Sequence, residues 1–336
     1  MQFARESFDC ETAQVLHDAA HYPARCARAV PAGPTCIRHS RLTFCTVRGV
    51  TVLVASTLDQ VLDELDRSPD STVLAGGTDL MVEVNEGHRR FPGGDAATVI
   101  ALGGVAELTG YTVETDRVVL GSGVRWTDIE SPPLADLLPA LAQAARTVGS
   151  PQIRHAGTIG GNLATCSPAG DGLPVLAALD ATVRLCSKSG ERTLPVIDFM
   201  VGVKRTALAP GEIVKAVEVP RLDGWQGYSK VGVRNAMVIA TASACVAVDQ
   251  PTRSIRIALG SVAPTVIRCA EAERWAESAV DWDRSTVEPD VAAEVGRLAR
   301  AASRPIDDHR SSADYRRRAV EVMVTRAMHR AFPGRR

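Results

Sequence analysis

Ala75-Gly76-Gly77-Thr78-Asp79-Leu80 and Thr158-Ile159-Gly160-Gly161-Asn162 are two glycine-paired turns about eighty residues apart, each set in apolar sequence and neither holding a Lys or Arg. A Gly-Gly turn lets the backbone approach a ligand closely and aims successive N–H groups into one concavity, which holds phosphate oxygens without fixed charge. Two such turns in one chain point to a ligand with two phosphates gripped from both sides. A dinucleotide fits that description.

Working outward, Val50 to Val54 reads as a strand, and regular structure is expected to begin there. Ser56 or Thr57 caps a helix with Leu58, Val61, Leu62 and Leu65 on one face. Ser71 to Ala75 is the next strand and delivers the chain into the first turn; Thr78 then caps a short helix, Leu80 to Glu86, stopped by Gly87. Unpaired N–H groups at such a strand–turn–helix junction favour an anion. Thr98 to Leu102 and Arg117 to Leu120 are strand-like, and Pro139 starts a helix that buries Leu141, Ala145 and Val148. Residues 151–172, rich in Gly, Pro, Ser and Thr, read as one long loop, and irregular stretches of that length are usually functional. Within it Asp171 either caps a helix over 172–180 or accepts hydrogen bonds from ribose or adenine. A hairpin follows, Thr182 to Ser187 with Arg192 to Val196.

Pro220 to Gly227 reads as a boundary. Strands at Tyr228–Val233, Thr241–Val248 and Ile255–Leu259 precede helices near 268–279, 287–302 and 313–331, the order expected of a separate α+β domain. Lys230 is either a snorkelling surface residue or a cation near an electron-accepting ring. His155 reads as structural, and Arg316-Arg317-Arg318 as a solvated helix face.

The 336 residues suffice for two or three domains, and a net charge of −1 gives no field favouring nucleic acid or an acidic membrane. The longest apolar run, Met237 to Val248, is too short to span a bilayer, and Glu6, Asp9 and Glu11 occupy the place of a signal peptide's apolar stretch. The expected compartment is the cytoplasm. Cys10, Cys26, Cys36 and Cys45 match no zinc or iron–sulfur spacing, and Cys166, Cys186, Cys245 and Cys269 read as reduced thiols. Gly121-Ser122-Gly123 is not completed by a third glycine, and no Gly-Lys-Ser/Thr, His-Glu-x-x-His or Gly-x-Ser-x-Gly occurs. Rossmann, P-loop and α/β-hydrolase readings all lose ground, and no metal site or catalytic residue is assigned.

Together these segments resemble the FAD-binding subunits of molybdenum hydroxylases of the carbon monoxide dehydrogenase and xanthine dehydrogenase type. The resemblance is carried by Val73-Leu74-Ala75-Gly76-Gly77-Thr78-Asp79-Leu80, by Arg154 to Ala164 with Ser167-Pro168 and Asp171, and by Thr206 to Ile213. It continues through Tyr228 to Arg234, Gly260 to Thr265 and Asp314-Tyr315-Arg316, covering roughly residues 50 to 332.

The resemblance implies an α+β chain: a two-subdomain FAD-binding fold of the vanillyl-alcohol-oxidase (PCMH) type over 49–223, divided near 108/109, then a small C-terminal domain over 227–332. Residues Val73 to Leu80 would wrap the pyrophosphate from one subdomain and Thr158 to Asn162 from the other. Asp171 would contact the adenosine portion, with Val214 and Lys230 near the isoalloxazine. Partners are implied: a large subunit with molybdopterin, a small subunit with two [2Fe–2S] clusters, the whole a dimer of heterotrimers. The flavin would pass electrons to an external acceptor such as NAD. Residues 1–48 have no counterpart in the resemblance and read as an N-terminal extension, an added segment or the product of an upstream start. The rival is a self-sufficient flavin oxidase or dehydrogenase, which needs its own substrate pocket with a base. A nucleotide-binding regulatory module without redox chemistry is a second rival.

Overall fold

The computed structural model describes residues 35–39 and 42–47 as backbone and residues 50–88 and 98–334 in full. The first subdomain is a five-stranded sheet ordered β1-β2-β3-β5-β4, with β1 at Thr35–His39, β2 at Leu42–Val47, β3 at Val50–Val54, β4 at Thr72–Leu74 and β5 at Thr98–Ala101. Strands β3, β4 and β5 are parallel; β1 and β2 join antiparallel at the edge, so regular structure precedes Val50 and that expectation is corrected. Their residues mix Arg, His, Cys and Thr, without the apolar alternation that marks a half-buried strand. Thr57, rather than Ser56, caps helix α1 (Leu58–Arg67), whose Val61, Leu62 and Leu65 are buried as the helical spacing requires. After β4 the first glycine turn leads into α2 (Leu80–Asn85), and Gly87 at φ +72° ends it. Thr78 does not cap this helix; Asp79 holds that position without a side-chain bond.

The second subdomain is an antiparallel sheet ordered β6-β7-β12-β8-β9, from β6 (Tyr111–Val113), β7 (Arg117–Gly121), β8 (Thr182–Ser187), β9 (Gly190–Pro195) and β12 (Ile213–Pro220). A small hairpin, β10 (Met200–Gly202) with β11 (Arg205–Thr206), precedes β12. Its helices are α3 (Trp126–Ile129), α4 (Leu134–Leu137), α5 (Pro139–Thr147), α6 (Pro151–Ala156), α7 (Ile159–Thr165), α8 (Gly172–Ala178) and α9 (Val196–Phe199). Residues 151–172 are therefore no loop. Ser150 caps α6 with Pro151 at its first position, and Thr158 caps α7, which ends where Cys166 turns left-handed at φ 47°. Helices this short and this rich in glycine carry too few apolar residues to show a helical period.

The C-terminal domain sets β13 (Gly224–Val231), β14 (Ala242–Asp249), β15 (Ser254–Gly260) and β16 (Ile267–Arg268) in one antiparallel sheet with α10 (Ala270–Ala279), α11 (Pro289–Ala302) and α12 (Ala313–Ala331). Along β14, Ala242, Ala244, Val246 and Val248 belong to the cluster formed with these three helices. The alternate residues Cys245 and Ala247, with Tyr228, Ala258 and Val266, belong to the core of the second subdomain instead. The sheet is buried on both faces, which is why β14 is a continuous apolar run rather than an alternating one. Buried Gln226 and its neighbour Gln143 close this seam: Gln226 Oε1 accepts the Ala140 N–H (3.3 Å) and Gln143 Oε1 the Tyr228 N–H (2.8 Å).

Arg316 departs from its expected place on a solvated face. Only 3% exposed, it donates to the carbonyls of Thr241 (2.8 Å) and Ser261 (3.0 Å) and to Asp308 Oδ1 (2.6 Å), while Arg317 and Arg318 pair along the helix surface with Asp314 and Glu321. Three consecutive arginines on a helix point about 100° apart, so a run of like charge need not share one face. Arg316→Met is expected to cost about 3 kcal/mol, because two buried carbonyls and a carboxylate lose their donor. Urea unfolding followed by tryptophan fluorescence measures it, and a change below about 0.5 kcal/mol would mean the three bonds hold nothing together.

Candidate cofactor-binding site

A cleft of about 640 Å³ lies between the two subdomains, with Met237, Val238 and Ile239 of the β13–β14 loop in its wall. Of the residues expected to hold the ligand, Val73, Leu74, Ala75, Gly76, Gly77, Thr78, Asp79, Leu80, Thr158, Gly160, Gly161, Asn162, Asp171 and Val214 line it. Ile159 instead faces the core, fully buried, and Lys230 stands behind Asp171.

The two glycine pairs meet. A Cβ on Gly76 would sit 1.9 Å from the Ala156 carbonyl oxygen at the end of α6, and one on Gly157 3.5 Å from Thr78 Oγ1. Within each pair the first glycine is demanded by protein: Gly76 by Ala156, and Gly160 by Ser122, whose Cβ would lie 2.5 Å away. The second has other reasons. Gly77 adopts φ +69°, and a Cβ on Gly161 would meet only Thr158 Oγ1, at 3.1 Å, leaving room on the cleft side.

Their backbone donors differ as well. Among the described residues no acceptor takes the N–H groups of Ala75, Gly76, Gly77, Thr78 or Asp79. In the second segment every N–H but that of Thr158 is taken among the described residues: Ile159 donates to Val124 O (2.9 Å), Gly160 to Ser122 O (2.9 Å), Gly161 to Thr158 Oγ1 (3.0 Å) and Asn162 to Thr158 O (3.0 Å). The two turns thus differ: the first has a row of donors to offer, and the second offers the Thr158 N–H, its shape and the buried, unpartnered Asn162 Oδ1.

Asp171 and Lys230 form one unit. Asp171 Oδ2 accepts from Lys230 Nζ (2.6 Å) and Thr147 Oγ1 (3.3 Å), Oδ1 accepts from the Tyr228 hydroxyl (2.8 Å), and Lys230 also donates to Thr147 O (3.0 Å). Burial pushes the Asp171 carboxyl above the ordinary range, opposed by the Lys230 charge and the hydrogen bonds from Lys230, Tyr228 and Thr147. The two are in direct contact, so whatever part of a ligand one of them meets, the other stands beside it. Asp171 does hold the N-cap position of α8, but its side chain makes no capping bond. Nor is Lys230 a snorkelling surface residue, its side chain being only 6% exposed.

Sequence reasoning passed over Ser122, Arg125, Trp126 and the Met237–Ile239 loop, all of which line the cleft. Gly121-Ser122-Gly123 was the available signal. A Cβ on Gly121 would lie 2.3 Å from Leu108 O, so the segment serves close backbone packing although it fails as a dinucleotide fingerprint. Two carboxylates of the lining are neutralised by cations, Glu83 by Lys204 and Glu212 by Arg192, whose hydrogen bond holds the Glu212 carboxyl below its usual range. The lining includes no His, Cys or Tyr among the described residues.

Two family models cover most of the chain: the FAD binding domain in molybdopterin dehydrogenase matches residues 47–222, and the CO dehydrogenase flavoprotein C-terminal domain matches 228–331. The chain belongs to the FAD-binding subunits of the molybdenum hydroxylases. Among similar proteins, the glyceraldehyde dehydrogenase medium chain of Sulfolobus acidocaldarius is 31% identical over 81% of this chain and 95% of its own. The carbon monoxide dehydrogenase medium chain of Hydrogenophaga pseudoflava is 32% identical over 78% and 90%. The solved carbon monoxide dehydrogenase of Hydrogenophaga pseudoflava superposes with a TM-score of 0.72 at 27% identity, covering 83% of this chain and 96% of that one.

FAD is accordingly this chain's cofactor, and the cleft fits it: free amides along the first turn, space kept open by Gly161, and an orphaned acceptor on Asn162. The two glycines of the second pair should therefore fail differently. Gly160→Val is expected to lower the stability of flavin-free protein by about 1–3 kcal/mol through overpacking on Ser122. Gly161→Val should stay within about 0.5–1 kcal/mol of wild type yet purify without flavin, read from the visible spectrum; full flavin occupancy would remove Gly161 from the site. Asp171→Asn leaves the Lys230 ammonium buried without a counter-charge, at about 3–5 kcal/mol, and adding Lys230→Met should recover much of that. Strictly additive losses in the urea cycle would mean the two side chains are not coupled.

Proposed function

We propose that this chain is the electron-transferring subunit of a heterotrimeric molybdenum hydroxylase, holding FAD in the cleft between its subdomains. A molybdopterin-bearing large subunit oxidises the substrate, and a small subunit with two [2Fe–2S] clusters delivers the electrons. When bound, FAD takes electrons singly and hands on a pair to an acceptor such as NAD.

The row of unsatisfied amides from Ala75 to Asp79, set against the open face of Gly161, is the observation that carries the placement. Donors fixed by the fold lose little entropy on meeting a diphosphate, and a site between domains is where such ligands usually lie. Asp171, with Lys230 behind it, belongs to the side of the cleft formed with the C-terminal domain, and Val214 and the Met237–Ile239 loop supply apolar wall that keeps water from a flat ring. The ion pair leaves that wall close to neutral.

A self-sufficient flavin oxidase would need a base to take a substrate proton. Among the described lining Glu83, Asp171 and Glu212 are each bound to a cation, which leaves Asp79, exposed on the first turn, as the one carboxylate without such a mate. The free, buried cysteines Cys166, Cys186, Cys245 and Cys269 suit a reducing compartment, so the assembly is placed in the cytoplasm. No described helix is long and apolar enough to cross a membrane. Among the described residues no cluster of His, Cys, Asp or Glu suits a metal; the four N-terminal cysteines lie outside the described side chains.

Affinity purification of the full chain from its native host tests the reading. Two partners carrying molybdenum and iron should accompany it, and substrate should bleach the flavin of the assembly while leaving the isolated yellow chain unchanged. Bleaching of the isolated chain by a small substrate would favour the oxidase, and colourless protein that ignores added FAD would end the proposal.

A further inference from the structure

The second glycine segment has spent all its N–H groups but that of Thr158 inside the protein, so a diphosphate lying against it gains from another donor. One side chain stands in position. Arg125 lines the cleft, and its backbone forms an isolated antiparallel bridge with Thr158, the cap residue of that segment. Residues opposed in an antiparallel bridge project to the same side. The next residue, Trp126, donates its N–H to Gly157 O (3.2 Å), and Gly157 in turn approaches Thr78 of the first turn. Arg125 therefore sits where the two glycine turns converge.

The charge inventory singles it out further. Arg125 and Lys204 are the cations of the described lining, and Lys204 is engaged with Glu83. No carboxylate binds the exposed Arg125 guanidinium among the described residues; neighbouring Asp128 accepts only its backbone N–H (3.2 Å). Asp79, the one acid of the lining without a cation, lies on the opposite turn and adds repulsion that a dinucleotide must overcome.

We infer that Arg125 is the charged diphosphate contact of this cleft, its guanidinium forking onto the phosphate oxygens from the side where the glycine segment leaves only the Thr158 N–H to give. The inference rests on the placement of FAD proposed above. It replaces grip by neutral amides alone with a two-sided hold, backbone from one subdomain and a planar cation from the other, and it makes cofactor affinity dependent on ionic strength.

The test uses the full chain stripped of flavin, titrated with FAD by fluorescence quenching at 50 and 500 mM salt. Arg125→Gln is expected to raise the Kd for FAD about tenfold at low salt and to flatten its salt dependence, with Arg125→Lys recovering part of the loss. ADP, tested as a competitor, should weaken in the Gln variant while adenosine does not. Because Arg125 is exposed, the thermal melts of the flavin-free variants should match wild type. An unchanged Kd and salt response in Arg125→Gln would overturn the inference alone, whereas wild-type chain that binds no FAD, or Gly161→Val that keeps it, would overturn the placement beneath it.

Discussion

The approach of the Gly76 backbone to the Ala156 carbonyl is the constraint on which the rest depends. That space admits a hydrogen and nothing larger. Through it the first turn is seated against the end of α6, which sets the width of the cleft and brings Thr78, Gly157 and Thr158 within reach of one another. Gly160 repeats the arrangement against Ser122 inside the second subdomain. Each Gly-Gly pair thus joins two different demands, one residue yielding to neighbouring protein and the next leaving conformation or space for a ligand.

Much of this was legible in the residues. The helical spacing of Leu58 to Leu65, the proline that opens α5, the hairpin that begins at Thr182 and the three C-terminal helices follow local rules that need no tertiary information. What escaped notice depends largely on partners distant in sequence, the local caps of two short helices being the exception. Short helices α6 and α7 exist because Ser150 and Thr158 cap them and the cleft walls hold them, not because their glycines favour helix. Arg316 is buried because Thr241, Ser261 and Asp308 surround it, and no charge run discloses that. Asp171 and Lys230 were each singled out correctly as unusual, yet only the fold reveals that they are unusual together.

The longest apolar run illustrates the same division. Read alone, Met237 to Val248 excluded a membrane span by its length and otherwise fitted an ordinary strand. In the fold it has two uses. Its first residues, with Met237 and Ile239 about half exposed, reach the cleft, and the remainder is β14, covered by helices on one face and by the second subdomain on the other. The chain passes from β12 to β13 near Pro220 but the core does not divide there, since Tyr228, Cys245, Ala247 and Ala258 pack with the preceding subdomain.

That shared packing makes the two jaws of the cleft unequal. The second subdomain and the C-terminal domain form a single anvil, fused by a large apolar cluster and locked by Asp171 and the paired glutamines. The first subdomain meets it through a smaller cluster in which Cys186 and Ile213 are the anvil's contribution. The lighter jaw, the sheet of β1 to β5 with its helices, thus has the smaller apolar hold on the rest of the chain. The coenzyme is in that sense held between a heavy base and a light cover rather than between equals.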